Sequence, residues 1–244
     1  MAKELMVEFG DLSTPLIADA CLKLSMPLRL APPGILSIPR GAKLAGRVLP
    51  AKHEGSVDVF LEAFESAEAG DVLVIDNAGR LDEGCIGDLT VLEAQAAGLA
   101  GAVVWGLVRD TPELELIGWP VFSYGTLPAG PARFVAQGPE RLASARFGQI
   151  VAERGDAVFA DADGLVFVAL AKLPQVLTAA REIWEKERAQ TQAIRKGKSL
   201  RSQFRFQEYL AKRAKGRRVH LPPTLALLGR GHRRITSRHR LPKV

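Results

Sequence analysis

The run Asp71-Val-Leu-Val-Ile-Asp76 constrains the fold more than any other part of the chain, because a continuous β-branched stretch bounded by carboxylates suits a strand covered on both faces. Such a strand needs helices or further sheet on either side, and the surrounding pattern offers them. Val57, Phe60, Leu61 and Phe64 recur at helical spacing over residues 57–69, and Gly70 supplies a stop. Residues 85–97 read as a helix ended by Gly98, 101–105 as a strand, 111–117 as a short helix and 120–124 as another strand. Thr111-Pro112 makes a sound helix start: the hydroxyl can accept a free N–H, and proline at the first helical position forfeits no bond. This alternation is that of an α/β fold.

The flanks extend the pattern. A short amphipathic helix over residues 14–24 precedes a connector holding Pro27, Pro32, Pro33 and Pro39, which bars a regular helix. Residues 157–160 and 165–169 flank Asp161-Ala-Asp-Gly164, where Asp and Gly give the backbone freedom of a hairpin turn. Turn chemistry accounts for Asp161 and Asp163 better than a metal pair does. Residues 173–194 form a long helix with Val176, Leu177, Ala180, Ile183 and Trp184 on one face. Beyond Lys215, basic residues, Gly and Pro surround a single apolar cluster at 225–228, and disorder is the expectation.

Charge divides the chain. Residues 188–244 hold 17 Lys+Arg against one acid, Glu208, a net of +16, while residues 1–187 carry −10. Such a segment can attract nucleic acid, an acidic partner or a neighbouring subunit. Phe204, Phe206 and Tyr209 interleave with its cations, which suits RNA binding, but the same spacing forms an amphipathic face that can dock on another subunit, the preferred reading here. The two cysteines, Cys21 and Cys85, have neither the number nor the spacing of a disulfide framework or zinc site; Cys85 reads as a small buried side chain. The chain opens without the apolar run of a signal peptide and has no stretch of membrane-spanning length, so the expected location is the cytoplasm.

Chemistry is expected at the carboxyl ends of the strands, where open α/β sheets place ligands. A loop over residues 77–84 leads into Ile86-Gly87-Asp88-Leu89, whose glycine and helix start favour an anion. A second loop carries Arg109-Asp110, able to fork onto a carboxylate and to hold a hard cation through oxygen. The plain alternative is a surface arginine and a helix-capping aspartate. His53-Glu54, in a loop before the residue-57 helix, can line the same pocket, but a lone histidine in a loop is more often solvated, and that is the expectation for His53.

The segments GDVLVID, GRLDEGCIGDL, AGLAGAVVWGLVRD, GWPVFSYGTLPAGP and GDAVFADADGLVFV, in this order, resemble the RraA-like family, across roughly residues 11–194. That family comprises the regulator of ribonuclease activity A, 4-hydroxy-4-methyl-2-oxoglutarate aldolases and oxaloacetate decarboxylases. The resemblance implies a swivelling β/β/α domain over residues 1–194, assembled as a homotrimer or hexamer, with residues 195–244 as a basic, partly helical C-terminal extension.

It also implies that Gly87, Asp88, Leu89 and Arg109 bind a small 2-oxo acid, with Arg109 and Asp88 catalytic, and that Asp110 holds Mg2+ or Mn2+. A carboxylate from a neighbouring subunit is implied as well, with Glu185 ranked ahead of Glu182 and Glu187. The activity so implied is divalent-metal-dependent cleavage of a 4-hydroxy-2-oxo acid, or decarboxylation of oxaloacetate, to pyruvate through a metal-stabilised enolate. The rival is a non-catalytic regulator of a ribonuclease or other RNA-processing partner. Trp105-Gly106 stands where the family often has Asp-Gly, and Gly-Asp-Leu where it has a Gly-Glu-Leu-like turn; both departures bear on substrate identity. Nothing resembles the Gly-rich turn of a methyltransferase.

Overall fold

A computed structural model of the chain describes residues 2–135 and 138–216. The tail beyond Gly216, expected to be disordered, lies outside the described residues.

Seven strands form one mixed sheet in the order β1-β5-β4-β3-β2-β8-β9. They are β1 (Leu36–Ile38), β2 (Leu44–Lys52), β3 (Val72–Gly84), β4 (Gly101–Leu107), β5 (Val121–Ser123), β8 (Asp156–Asp161) and β9 (Gly164–Ala169). Strands β2, β3, β4 and β5 run parallel, while β1, β8 and β9 pair antiparallel to their neighbours. Two further strands, β6 (Ser144–Phe147) and β7 (Ile150–Glu153), make a separate hairpin.

Alternation explains the layers. Leu49, Leu73, Ile75 and Val104 join one buried cluster with Val59 and Phe60 of α3 (Asp58–Glu65), Val91 of α4 (Asp88–Ala96) and Leu114 of α5 (Thr111–Ile117). Val48, Val72, Val74 and Val103 face the opposite way, against Ala145, Phe147 and Ala152 of the β6–β7 hairpin. The result is helix, sheet and hairpin layers, the β/β/α arrangement expected. It makes the continuous apolar run of β3 necessary, since both of its faces are dry.

At the amino end, α1 (Ala2–Phe9) sets Phe9 edge-on against Phe159 at 5.2 Å, and α2 (Thr14–Lys23) follows. Asp161 has a second duty beyond its turn: its carboxylate accepts from the Thr14 N–H at 2.7 Å and the Thr14 hydroxyl at 2.6 Å, and also from the Asp163 N–H at 3.0 Å. It thus serves the amino end of a helix 147 residues earlier, a role that turn propensity does not announce.

Two expected boundaries move. Strand β3 does not end at Asp76 but runs on to Gly84, replacing the expected loop over 77–84. Asp76 Oδ1 accepts from the Ala78 N–H at 2.9 Å, and Ala78 and Gly79 take left-handed φ of 55° and 67°, so the strand kinks, shifts register and resumes at Arg80. The helix expected from residue 85 starts at Asp88, because the Cys85 N–H donates to Leu107 O and the Arg109 N–H to Ile86 O, tying residues 85 and 86 to the end of β4 instead.

The chain divides into two compact units, the first Met1–Glu182 and the second from Ile183 onward. Helix α6 (Leu173–Arg195) spans the division; α7 (Leu200–Gln203) and α8 (Phe206–Ala214) lie in the second unit. Among the described residues no helix is long and apolar enough to cross a membrane.

Candidate active site

Arg109 and Asp110 follow β4 directly, and their backbone is held on two sides. Val108 donates to Gly125 O at 3.1 Å and accepts from the Leu127 N–H at 2.9 Å, while Arg109 reaches Ile86 O at 3.0 Å. Asp110 has φ 61° and ψ 42°, a left-handed conformation unusual for a residue with a side chain. It precedes α5 yet its carboxylate makes no capping bond to that helix, so the helix-capping alternative fails. The carboxylate turns instead toward the start of α4: Oδ2 lies 3.4 Å from the Asp88 N–H nitrogen and 3.4 Å from Arg109 Nε. Strain of this kind persists where surrounding contacts over-determine the backbone, and it aims one acid at the amino end of a neighbouring helix.

Gly87 is what allows the approach. Its backbone is extended (φ −136°), which any residue can adopt, but a Cβ there would run into Asp110 Oδ2 and lie 3.1 Å from Asp110 Cγ and 3.2 Å from Arg109 Cγ. Asp88 accepts from the Leu89 N–H at 2.7 Å, and the Leu89 side chain is 77% exposed. The Arg109 side chain is 45% exposed and that of Asp110 34%, so solvent and a small anion can reach both. Gly130 faces the guanidinium closely enough that a Cβ would sit 2.7 Å from Nη1. The structure therefore brings Gly87, Asp88, Leu89, Arg109 and Asp110 together.

Glu185 is exposed on α6 in the second unit. Trp105 is not at the strand end, since β4 continues to Leu107. Its ring covers the Gly79 kink and meets Tyr124 at 5.1 Å and Phe147 at 5.5 Å, so the position departing from the family pattern is filled by an aromatic cluster. The Tyr124 hydroxyl donates to Pro32 O at 2.7 Å, and burial pushes its pKa up to about 12. Burial also raises the Cys85 thiol well above its ordinary value, leaving it protonated and a poor nucleophile.

Beside these residues lies a polar group that the sequence did not announce. His53, expected to be solvated, is 3% exposed; it stacks on Phe60 at 5.2 Å and its Nδ1 pairs with Asn77 Oδ1 at 2.9 Å. Glu83, 2% exposed, accepts from Arg133 Nη2 at 3.0 Å and lies 3.8 Å from His53 and 3.6 Å from Arg80 Nε. Glu83 immediately precedes Gly84, where a Cβ would sit 3.0 Å from Arg109 Cβ. In the sequence the polar Asn77 and Glu83 lie in a glycine-bearing stretch that resembles a loop, and nothing local pairs them with His53 or Arg133.

Burial, the largest influence on His53, holds its pKa below the ordinary 6.5, against the opposing pull of Asn77 and Glu83. The unfolded chain thus takes up the His53 proton at higher pH than the folded chain does. Its contribution to stability is complete above 6.5 and is lost as pH falls toward the depressed folded value. Between about pH 7 and about pH 5 the urea midpoint is expected to fall, and to fall less in His53→Gln, which cannot titrate. An equal fall in the variant would assign the acid sensitivity to other groups.

A layered mixed sheet with an arginine and an acid gathered at a helix start beyond one strand end defines an α/β protein whose polar groups collect where open sheets place their ligands. More particularly, the chain belongs to the RraA-like family, whose model, described as Aldolase/RraA, matches residues 14–167. A protein of Laribacter hongkongensis, provisionally named 4-hydroxy-4-methyl-2-oxoglutarate aldolase, is 32% identical over 152 residues, 62% of this chain and 94% of that protein. Among solved structures, Streptomyces coelicolor RraAS2, described as an unusual member of the RNase ES inhibitor RraA protein family, has a TM-score of 0.64 at 27% identity, covering 76% of this chain and 96% of its own. The RNA-processing inhibitor RraA from Thermus thermophilis has a TM-score of 0.53 at 25% identity, covering 62% and 91%.

Proposed function

We propose that the chain is a divalent-metal-dependent carbon–carbon lyase that yields pyruvate by retro-aldol cleavage of a 4-hydroxy-2-oxo acid or by decarboxylation of oxaloacetate. The observation that carries this reading is the left-handed Asp110, which leaves its own helix uncapped and holds a half-exposed carboxylate beside Arg109 and the Gly87–Asp88 turn. The provisional aldolase name of the Laribacter relative supports it.

Among the described residues no cluster of three or more His, Cys, Asp or Glu is placed to hold a metal, and Asp110 offers one solvent-reachable carboxylate. That suits Mg2+ or Mn2+, which keep several waters and need only one or two acids. Asp110, with Glu185 of a neighbouring subunit in a homotrimer or hexamer, would hold the ion, which would supply Lewis-acid polarisation of the keto group.

The protein's own groups do the rest. Arg109 forks onto the carboxylate of the 2-oxo acid, fixing it in one orientation and offsetting the negative charge that grows next to it. At the start of α4 the Asp88 N–H faces Asp110 Oδ2 and the Leu89 N–H is taken by the Asp88 carboxylate, so the substrate carboxylate gains these donors only by displacing those acids. Asp88 relays the proton: the C4 hydroxyl loses it as the C3–C4 bond breaks, and C3 of the departing three-carbon fragment gains one. In decarboxylation carbon dioxide leaves in place of the carbonyl fragment, Arg109 serves as before, and C3 takes a proton from solvent water by way of Asp88, since oxaloacetate has no C4 hydroxyl to supply one. The buried Glu83–Arg133 pair, adjoining Arg109 through Gly84, stiffens the wall behind it.

Pyruvate release from oxaloacetate and from 4-hydroxy-4-methyl-2-oxoglutarate tests the proposal. The rate is expected to fall to background in EDTA and to return with added Mg2+ or Mn2+. The likeness to RraA proteins favours the second reading, a regulator. Failure to turn over any 2-oxo acid under any metal, with tight binding to a ribonuclease, would establish that reading instead. Residence in the cytoplasm accords with either.

A further inference from the structure

We propose that residues 195–216 form a nucleic-acid-binding surface that takes single-stranded RNA or DNA through its phosphates and through bases stacked on Phe206 and Tyr209. This goes beyond the lyase reading and does not depend on it.

The family model ends at residue 167, and the 152 matched residues make up 94% of the Laribacter protein, so that relative has no room for a segment of this length. What the extension adds is charge of one sign: residues 195–244 hold 16 Lys+Arg and a single acid, Glu208. Even that acid is engaged within the segment, 3.9 Å from Arg205 Nη1.

Part of the first unit's negative charge is engaged internally: Asp71 is paired with Arg47, Asp156 with Arg29, Glu83 with Arg133, and Asp58 and Glu62 with Arg141. Residues 1–187 still carry a net −10, so an acidic protein surface is the competing occupant, and the choice of a nucleic acid rests on the aromatic groups of the extension.

Local geometry favours a polyanion with flat rings over a plain acidic peptide. Helix α8 buries none of its residues. On it Phe206 and Tyr209 lie one turn apart with ring planes 19° from parallel and centroids at 5.5 Å, a half-exposed aromatic platform. Beside the platform a hollow of about 580 Å3 is lined by Ser199, Arg201, Ser202, Arg205, Phe206, Gln207 and Glu208, the one acid standing 3.9 Å from Arg205 Nη1. Guanidinium, hydroxyl and aromatic groups in one open hollow match a phosphate, a sugar and a base. Base stacking tolerates any sequence because every base has a π-face, so affinity without sequence preference is expected.

The full-length chain, titrated into labelled oligo-U and oligo-dT of about twenty nucleotides, tests the proposal. At about 50 mM salt micromolar or tighter binding is expected, weakening by about two orders of magnitude by about 200 mM as counterions are released. Phe206→Ala with Tyr209→Ala is expected to weaken binding about tenfold or more without changing the salt slope, because stacking is lost and charge is kept. Arg201→Gln with Arg205→Gln is expected to lower the slope itself. Oligo-U and oligo-dT distinguish RNA from DNA as the favoured source. Polyglutamate is the control for an acidic partner or subunit: if it binds as tightly as the oligonucleotides, or if the alanine pair changes nothing, the nucleic-acid assignment is overturned. No binding at low salt overturns it as well. Pyruvate release should be unaffected by any of these substitutions.

Discussion

Replacing Arg109 by alanine is expected to lower kcat/KM for pyruvate release by about a thousandfold, about 4 kcal/mol of lost transition-state stabilisation. The magnitude follows from what Arg109 would do. It is the cation next to the Asp88–Leu89 turn, and negative charge grows on the substrate as the carbon–carbon bond breaks. Arg109→Lys should recover only part of the loss, since an ammonium keeps the charge but cannot fork onto a planar carboxylate. The fold should survive both changes, because the side chain is 45% exposed and its contact with Asp110 Oδ2, at 3.4 Å, is longer than a hydrogen bond. Steady-state rates with each variant, read beside circular dichroism, decide the matter: an unimpaired rate in a folded Arg109→Ala protein leaves the lyase without its anion anchor.

The second large effect needs no change of charge. In Gly87→Ala the new methyl group would occupy the place of Asp110 Oδ2 and crowd Arg109 Cγ, so both charged groups must shift together. A displacement of about an ångström at a reacting centre is worth on the order of a hundredfold in rate, and a loss of at least that size is expected. The Mg2+ concentration needed for half-maximal activity should rise alongside. Stability should change by no more than about 1 kcal/mol, because an extended φ places no strain on alanine at this position. If the variant retained full rate and unchanged metal dependence, the Asp110 carboxylate would have no part in the chemistry.

The frame of the fold was legible because its signals are local. The apolar run of β3 had to be covered on both faces, Thr111-Pro112 opened α5 where expected, and Asp161 to Gly164 turned the β8–β9 hairpin. What could not be read depends on distant or backbone-level partners. Strand β3 continues past Asp76 only because β4 is there to receive it across two register shifts, and the polar, glycine-bearing stretch after Asp76 looks like a loop without that neighbour. Glu83 meets Arg133 fifty residues away, and His53 meets Asn77 twenty-four away, so neither pairing leaves a periodic trace.

At the candidate site the motif resemblance indicated which residues meet, but not how. The backbone of Asp110 adopts a conformation that its residue type does not advertise. Its carboxylate therefore serves the helix that precedes it in the chain rather than the one it begins.

The place of β2 in the sheet has a consequence for biogenesis. Its first half, Leu44 to Arg47, pairs with β8, made more than a hundred residues later, while its second half pairs with β3, made soon after. During synthesis the nascent chain can therefore assemble β2, β3, β4 and the Arg109–Asp110 turn while one margin of β2 still presents unpaired amides to solvent. That margin is sealed only as β8 leaves the ribosome, when Asp161 also reaches back to Thr14. The interval before β8 emerges is when this protein is most open to pairing with another copy of itself.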